Sequence, residues 1–141
     1  MMRSIVLASL IALTGAGCVV AAAPPPARPA EAHAMRNGFV FLGERTVNGG
    51  VDHDVIGVGR QDGRFHELMV VVERAPVEIF DMVVTFGNNE RYEPHMRLVF
   101  GRDTTSRNID LPGGARIIKR VDFRYGNLAG GVRAKVELWG R

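Results

Sequence analysis

The segment RIIKRVDFRYGNLAGGVRAKVELWG, residues 116–140, contains two runs in which apolar and charged side chains alternate. Val121, Phe123 and Tyr125 mark the apolar positions of the first run, and Val136 and Leu138 mark those of the second. A repeat of two residues indicates β-strands that bury one face. The loop between the runs contains three glycines, which tolerate the positive φ angles of tight turns.

We expect these two runs to form an antiparallel hairpin. One register places opposite charges side by side, with Asp122 opposite Lys135 and Arg120 opposite Glu137. Each such cross-strand pair contributes about 0.2–1 kcal/mol, and a slip by one residue would turn the apolar face toward water. The pattern therefore predicts that the two runs are neighbours in one sheet.

The rest of the chain after Gly38 shows the same period of two, with turn residues at short intervals. Segments 68–72 and 77–87 are apolar on both faces, so we expect them to be the most buried strands. The predicted fold class is all-β: a single antiparallel, jelly-roll-like β-sandwich of about eight strands after a signal peptide. The predicted strands are 39–45, 54–59, 65–73, 77–87, 95–101, 106–111, 116–125 and 132–140.

A single charge, Arg3, precedes an uncharged and mostly apolar run over residues 4–20. This arrangement predicts a cleaved signal peptide over residues 1–23, since the run is shorter and more polar than a bilayer-spanning helix. Residues 24–37 are rich in Pro and Ala, which predicts an extended spacer. The β-sandwich domain is then expected at 38–141.

Cys18 is the one cysteine of the chain and follows Gly15-Ala16-Gly17. Small residues before a cysteine at this place resemble a bacterial lipobox, in which the thiol is acylated, although a larger apolar residue is usual at the position of Gly15. Cleavage within Ala21-Ala22-Ala23 is the alternative. Both routes predict an exported protein of the periplasm or cell envelope, which contacts the membrane only through lipidation of Cys18.

Charges of both signs are mixed along the chain, which has 18 Lys and Arg, 15 Asp and Glu, and a formal net charge of +3. A nucleic-acid-binding protein usually concentrates basic residues in one stripe, so we expect no nucleic-acid partner. Arginines are numerous in the C-terminal half, and the guanidinium fork binds carboxylates and phosphates. A protein partner or an anionic envelope polymer fits such a surface, while pairing among the charges is the alternative.

Trp139 shares a face of the predicted hairpin with Arg120 and Arg133, which suits a polar or carbohydrate ligand. The alternative is that Trp139 covers Ile118. In the predicted register Arg124 lies beside Arg133, and like charges in this position call for an acid or an anionic ligand between them. The predicted ligand-binding residues are therefore Trp139, Arg120, Arg124 and Arg133.

Asp52-His53-Asp54 is the densest group of potential metal ligands in the sequence. Two carboxylates flanking one residue can reach a hard cation such as calcium, whereas a histidine favours zinc. The alternative is a polar turn in which an Asp side chain accepts backbone N–H bonds. Calcium at Asp52, His53 and Asp54 is the only cofactor that the sequence suggests.

Five segments carry a family resemblance: LGERTV (42–47), VDHDVI (51–56), IFDMVVTFGN (79–88), SRNIDLPGGARIIKRVDFRY (106–125) and VELWG (136–140). They resemble an uncharacterised family of small bacterial secreted β-sandwich proteins, a domain of unknown function. The resemblance spans the whole expected domain and implies the β-sandwich fold. It implies no activity and no catalytic residue.

No nucleophile motif of the form G-x-S-x-G occurs, and no cysteine follows Cys18. A hydrolase would need an activated nucleophile beside a base. The leading hypothesis is therefore an exported, non-enzymatic binding or interaction module of the cell envelope. A calcium-dependent or carbohydrate-binding β-sandwich is the first alternative, and a hydrolase is the second.

Mass spectrometry of the mature protein should find an N-terminus between Cys18 and Pro24, because export removes the signal peptide. If Cys18 is acylated, Cys18→Ser should release the protein from membranes into the soluble fraction. A mature chain that still begins at Met1 would contradict export.

Overall fold

A computed structural model describes residues 22–95, 97–127 and 132–141. All but the last two residues of the predicted signal peptide, with Cys18, lie outside this part, and so do residues 128–131 of the predicted hairpin loop. In chain order the elements are α1 (Pro29–Arg36), β1 (Val40–Val47), β2 (Asp52–Gly57), a 3-10 turn (Arg60–Asp62), β3 (Glu67–Glu73), β4 (Val77–Phe86), β5 (Arg91–Tyr92), β6 (Leu98–Phe100), β7 (Thr104–Thr105), β8 (Ile109–Asp110), β9 (Ile118–Asn127) and β10 (Ala134–Gly140). No helix in the described residues is long and apolar enough to cross a membrane.

The strands form two five-stranded antiparallel sheets that pack face to face. In sheet A, β10 lies between β1 and β3, and the short strands β7 and β8 pair with the other edge of β3. In sheet B, β9 lies between β2 and β4, and the short strands β5 and β6 pair with the other edge of β4. The all-β sandwich predicted from the sequence is confirmed.

One apolar core fills the space between the sheets. Sheet A contributes Leu68, Val70 and Val72 of β3, and sheet B contributes Met82 and Val84 of β4. Both strands have neighbours on two sides, and most of their side chains are buried. Their two-sided apolar sequences predicted this burial correctly.

All eight predicted strands correspond to strands of the structure, with ends that differ by a few residues. The sequence missed β5 and β7, which have only two residues each. A strand of two residues is too short to show an alternation of apolar and polar residues. It can be recognised only by its pairing with a longer strand. Here β4 and β3 provide that pairing.

β9 and β10 are not neighbours, so the predicted hairpin is wrong. β9 pairs with β2 and β4 in sheet B, whereas β10 pairs with β1 and β3 in sheet A. Phe123, Val136 and Leu138 are nevertheless buried as expected, because the period of two sets the apolar face of a strand without setting its partner.

The predicted charge pairs between these strands are replaced by others. Asp122 lies 3.5 Å from Nε2 of His53 and 3.2 Å from Nε of Arg120, and all three residues belong to sheet B. Lys135 lies instead among glutamates of sheet A and α1. Opposite charges on two sequence segments therefore did not show that the segments pair as neighbouring strands. Each of these two central strands forms its ion pairs with residues of its own sheet or of α1.

Residues 29–36 form helix α1, where the sequence predicted an extended spacer. Pro29 suits the first helical position, since its missing N–H would have no partner there. The Glu31 carboxylate accepts a hydrogen bond at 3.0 Å from the backbone N–H of Arg28, which caps the helix start. The alanines of this segment favour the helix further.

The helix covers the outer face of sheet A with its small residues. Ala30 and Ala34, one turn apart, are both buried, and alanine allows the helix to approach the sheet closely. A second apolar cluster forms at this contact, consisting of Ala30, Ala34, Phe39, Met69, Val71 and Trp139. Helix α1 therefore packs directly on the β-sandwich.

Ala34→Asp should destabilise the protein by about 3 kcal/mol or more, because it buries an unpaired carboxylate between α1 and sheet A. The exposed neighbour Met35 supplies the control, and Met35→Asp should change the free energy of unfolding by less than about 1 kcal/mol. Urea denaturation measures both, with the fluorescence of Trp139, the one tryptophan, as the signal. Equal effects would contradict the packing of α1 on the sheet.

Candidate functional site

A pocket of about 580 Å³ opens at one end of sheet B. It lies where the end of β2, the end of β4 and the start of β9 meet. These ends meet because β9 is the central strand, with Gly57 of β2 paired to Arg120 and Phe86 of β4 paired to Ile118. The lining residues come from three segments: Val58, Gly59, Arg60 and Arg64; Phe86, Gly87, Asn88 and Asn89; and Arg116, Ile117, Ile118 and Lys119.

We call this pocket the basic pocket, because the described residues that line it include four cationic side chains and no acidic one. Arg60 and Arg64 are exposed, and in the described residues neither side chain has an ion pair or hydrogen bond. Lys119 donates a hydrogen bond at 3.0 Å to the side-chain oxygen of Asn89. The pocket therefore presents positive charge that the described protein atoms leave largely uncompensated.

Arg116 is held rigidly at the floor of the basic pocket. The centre of its guanidinium lies 3.6 Å from the centroid of the buried Phe86 ring, a cation–π contact. The same guanidinium donates hydrogen bonds to Pro112 O at 3.3 Å and to Asn88 Oδ1 at 3.2 Å, and it forms an ion pair with Glu90. Hydrogen bonds from Asn88 and Arg116, together with the charge of Arg116, lower the pKa of the Glu90 carboxyl.

The turn after β4 places the side-chain amides of Asn88 and Asn89 and the backbone of Gly87 at the basic pocket. Asn89 has φ of +68°, and the backbone N–H of Gly87 donates to Ile117 O at 2.9 Å, which joins this turn to the start of β9. A Cβ on Gly87 would lie 3.2 Å from Cγ2 of Ile117, so a larger residue would push the two segments apart. Val58 and Ile117 add apolar walls. The arrangement suits a small anionic group with a partly apolar body.

The ligand-binding residues predicted from the sequence do not come together. Trp139 is only 3% exposed, and its ring makes an edge-to-face contact with Phe41 at 5.4 Å between centroids. Its Nε1 donates to Glu137 Oε2 at 2.9 Å. Trp139 therefore belongs to the contact between α1 and sheet A, and it offers no exposed platform for a sugar.

The predicted arginine pair is also separated. Arg120 and Arg124 lie on the exposed outer face of sheet B, because they alternate with buried residues of β9. The cross-strand neighbours of Arg124 are His53 of β2 and Asp81 of β4. Arg133 is exposed just before β10, in the chain segment that enters sheet A. The prediction that Arg124 and Arg133 pair across a hairpin is wrong, for the same reason as the hairpin itself.

The metal ligands predicted from the sequence lie on β2, where successive side chains point to opposite faces. Asp52 Oδ1 accepts a hydrogen bond at 2.8 Å from the backbone N–H of His53, as in the polar-turn alternative. Asp54 lies on the inner side and accepts a hydrogen bond from the hydroxyl of the buried Tyr125. His53 points the other way, toward Asp122. The three residues therefore do not converge on one point.

Carboxylates do converge elsewhere in the described residues. Glu31 of α1, Glu73 of β3 and Glu137 of β10 each place a carboxylate oxygen within 4.8 Å of the others. This group could not be predicted from the sequence, because its members are 42 and 64 residues apart in the chain. Arg60, Arg64 and Lys119 could not be identified as site residues from the sequence, for the same reason. Of the cations that line the basic pocket, Arg116 is the one that lies among the numerous arginines of the C-terminal half.

Comparison with known proteins gives one finding. A family model described as Domain of unknown function (DUF2541) matches residues 6–140. No curated protein and no solved structure matches the chain.

Tyr125→Phe should make the stability of the protein less sensitive to alkaline pH. Burial, then the hydrogen bond to Asp54, and then the charges of Asp54 and Asp52 raise the pKa of Tyr125 far above its ordinary value near 10. Above pH ~10 the unfolded chain releases this proton and the folded chain keeps it, so stability falls by up to about 1.4 kcal/mol per pH unit.

Urea denaturation across this pH range should show a shallower fall for Tyr125→Phe than for the wild type. At neutral pH the same variant should lose about 1–3 kcal/mol, because Asp54 loses its donor. Tyr92→Phe, at a half-buried position of β5, is the matched control and should keep the wild-type pH dependence. An unchanged slope in Tyr125→Phe would contradict the assignment.

Proposed function

The chain belongs to the DUF2541 family, a domain of unknown function, and we propose that it is an exported binding module that holds anionic groups of the cell envelope in its basic pocket. The proposal treats the protein as non-enzymatic. Export rests on the N-terminal sequence, in which Arg3 precedes the apolar run that ends near Cys18. Acylation of Cys18 would place the domain at a membrane surface.

The observation that carries the binding function is the charge of the pocket lining. Four cations line the basic pocket and no acid does, although the chain as a whole has nearly equal numbers of both. Some cations elsewhere on the surface have an acidic neighbour, as Arg97 does with Glu78 and Arg141 with Glu67. Arg60 and Arg64 have no acidic partner among the described residues, and they lie together where the surface is concave.

The chemistry of the lining indicates the ligand class. Guanidinium groups bind carboxylates and phosphates through two parallel hydrogen bonds, and Arg116 is already oriented by its contact with Phe86. The side chains of Asn88 and Asn89 can recognise hydroxyl groups, and Val58 and Ile117 can pack against a ring or chain. The ligand we infer is a carboxylate- or phosphate-bearing segment of an envelope polymer, such as an acidic sugar unit.

Nuclear magnetic resonance titration of the protein with glucuronate and with inorganic phosphate tests this proposal. Glucuronate should shift the backbone amides of Gly59, Gly87 and Asn88 in a saturable way, while glucose, which lacks the carboxylate, should not. The shifts should weaken as salt is added, because exposed charges are screened.

Matched variants make the test specific to the pocket. Arg60→Gln and Arg64→Gln should each weaken binding about fivefold, which corresponds to about 1 kcal/mol for one exposed charge pair. Arg107→Gln, at an exposed position outside the pocket, should leave binding unchanged. Shifts confined to the outer face of sheet B around Arg120 and Arg124, or no saturable shifts with either anion, would refute the proposal.

A further inference from the structure

A buried group of charges lies between α1 and the outer face of sheet A, away from the basic pocket. It contains Glu73 of β3, Glu137 of β10 and Glu31 of α1, with Lys135 among them. The Glu73 and Glu137 side chains are 0% and 1% exposed. We call these three glutamates the carboxylate cluster. Ion pairs of this kind are seldom buried so deeply without further partners.

Lys135 provides the internal positive charge of the carboxylate cluster. Its Nζ lies 3.0 Å from Glu73 Oε2 and 3.7 Å from Glu31 Oε1, and it forms an ion pair with Glu137 Oε1. Glu44, at the exposed edge of the group, lies 3.2 Å from the same Nζ. Burial disfavours the charged lysine, but hydrogen bonds and charges from Glu137 and Glu44 outweigh it and raise the pKa of Lys135.

The charges around Lys135 do not balance. Four carboxylates surround Lys135, and among the described residues one further cation is in contact, Arg28, which pairs with Glu73 Oε2. With all groups ionised, the four carboxylates and two cations leave a net charge of −2. Water reaches the half-exposed Glu44 and screens part of this charge, but it is excluded from Glu73 and Glu137, where uncompensated charge is costly.

One oxygen of the carboxylate cluster also lacks a partner. Glu73 Oε1 is buried and accepts no hydrogen bond from any group of the described residues. Other oxygens of the cluster have partners: Glu31 Oε2 accepts from the Arg28 N–H, Glu137 Oε2 accepts from the Trp139 indole, and Glu73 Oε2 and Glu137 Oε1 pair with Lys135. A buried carboxylate oxygen without a donor is unfavourable by about 1–3 kcal/mol or more, so a bound ion or water is favoured beside it.

We propose that the carboxylate cluster binds one hard divalent cation, with Glu31, Glu73 and Glu137 as its protein ligands. Carboxylate oxygens alone are the donor set that calcium and magnesium prefer. Two oxygens on one calcium ion, each at about 2.4 Å, lie at most about 5 Å apart, and the three oxygens here lie within 4.8 Å of one another. A charge of +2 offsets the net charge of −2.

Lys135 and the cation compete for the same oxygens. When the ion enters, the lysine ammonium moves outward to Glu44, whose side chain is 51% exposed and already lies 3.2 Å from Nζ. The flexible lysine chain allows this movement without a change in the backbone. Since Glu31 belongs to α1 and the other two ligands belong to sheet A, the bound ion fastens the helix to the sheet. This site does not depend on the anion-binding function.

Terbium, a luminescent substitute for calcium, tests the site directly. Trp139 is the one tryptophan of the chain, and it contacts Glu137 through a 2.9 Å hydrogen bond. Excitation energy absorbed by Trp139 should therefore transfer to a terbium ion in the cluster. The full-length protein should show saturable terbium luminescence on tryptophan excitation. Calcium should displace the terbium, and millimolar calcium should raise the melting temperature.

Variants distinguish this site from ordinary acidic surface. Glu31→Gln keeps an oxygen for the Arg28 N–H but removes a charged ligand, and it should weaken terbium and calcium binding at least about tenfold. Glu93→Gln, at an exposed acid outside the cluster, is the matched control and should bind like the wild type. Lys135→Met removes the competitor, and it should bind calcium more tightly than the wild type and gain more thermal stability from it.

Two outcomes would overturn the proposal. One is that neither calcium nor magnesium changes the melting temperature of the wild type or of Lys135→Met, with no tryptophan-sensitised terbium signal in either protein. The other is that terbium luminescence is equal in Glu31→Gln and Glu93→Gln, because the ion would then lie elsewhere. If Lys135→Met does not fold, the wild-type titration with Glu31→Gln and Glu93→Gln still decides the question.

Discussion

β9 and β10, two long strands adjacent in sequence, each occupy an inner position of a different sheet, and the remaining structure depends on this separation. With β9 between β2 and β4, the ends of three strands meet at one end of sheet B and form the basic pocket. With β10 between β1 and β3, Lys135 and Glu137 lie on the outer face of sheet A. A hairpin of β9 and β10 would have formed neither arrangement.

The outer faces of the two sheets differ in polarity. The outer face of sheet A has the apolar side chains of Met69, Val71 and Trp139, which would be unfavourably exposed to water without α1. That of sheet B has mainly polar and charged side chains around Arg120 and Arg124, which water can solvate. Helix α1 therefore covers only sheet A, and its two buried alanines allow the close contact.

Ion pairs join α1 to sheet A beside this apolar contact, and their main effect is on geometry. Buried ion pairs often contribute little net stability, because removing the charges from water is costly. They do fix position, however, since a displaced helix would separate Arg28 from Glu73 and Glu31 from Lys135. Arg28 and Glu31 therefore set the register of α1 on the sheet. The apolar cluster supplies most of the affinity between helix and sheet.

The sequence alone determined the fold class, eight of the ten strands and which face of each long strand is buried, because a period of two is a local property that any strand with one wet face must have. It did not determine strand partners. The charges of Asp122 and Lys135 matched in a register that does not exist, since complementary charges are common and each central strand has two neighbours.

Helix α1 was not predicted from the sequence, because a short alanine-rich helix becomes stable only when a sheet face covers it. Only the tertiary structure brought Arg60, Arg116 and Lys119 to one pocket and Glu31, Glu73 and Glu137 to one cluster, because these groups are formed by contacts between segments far apart in the chain.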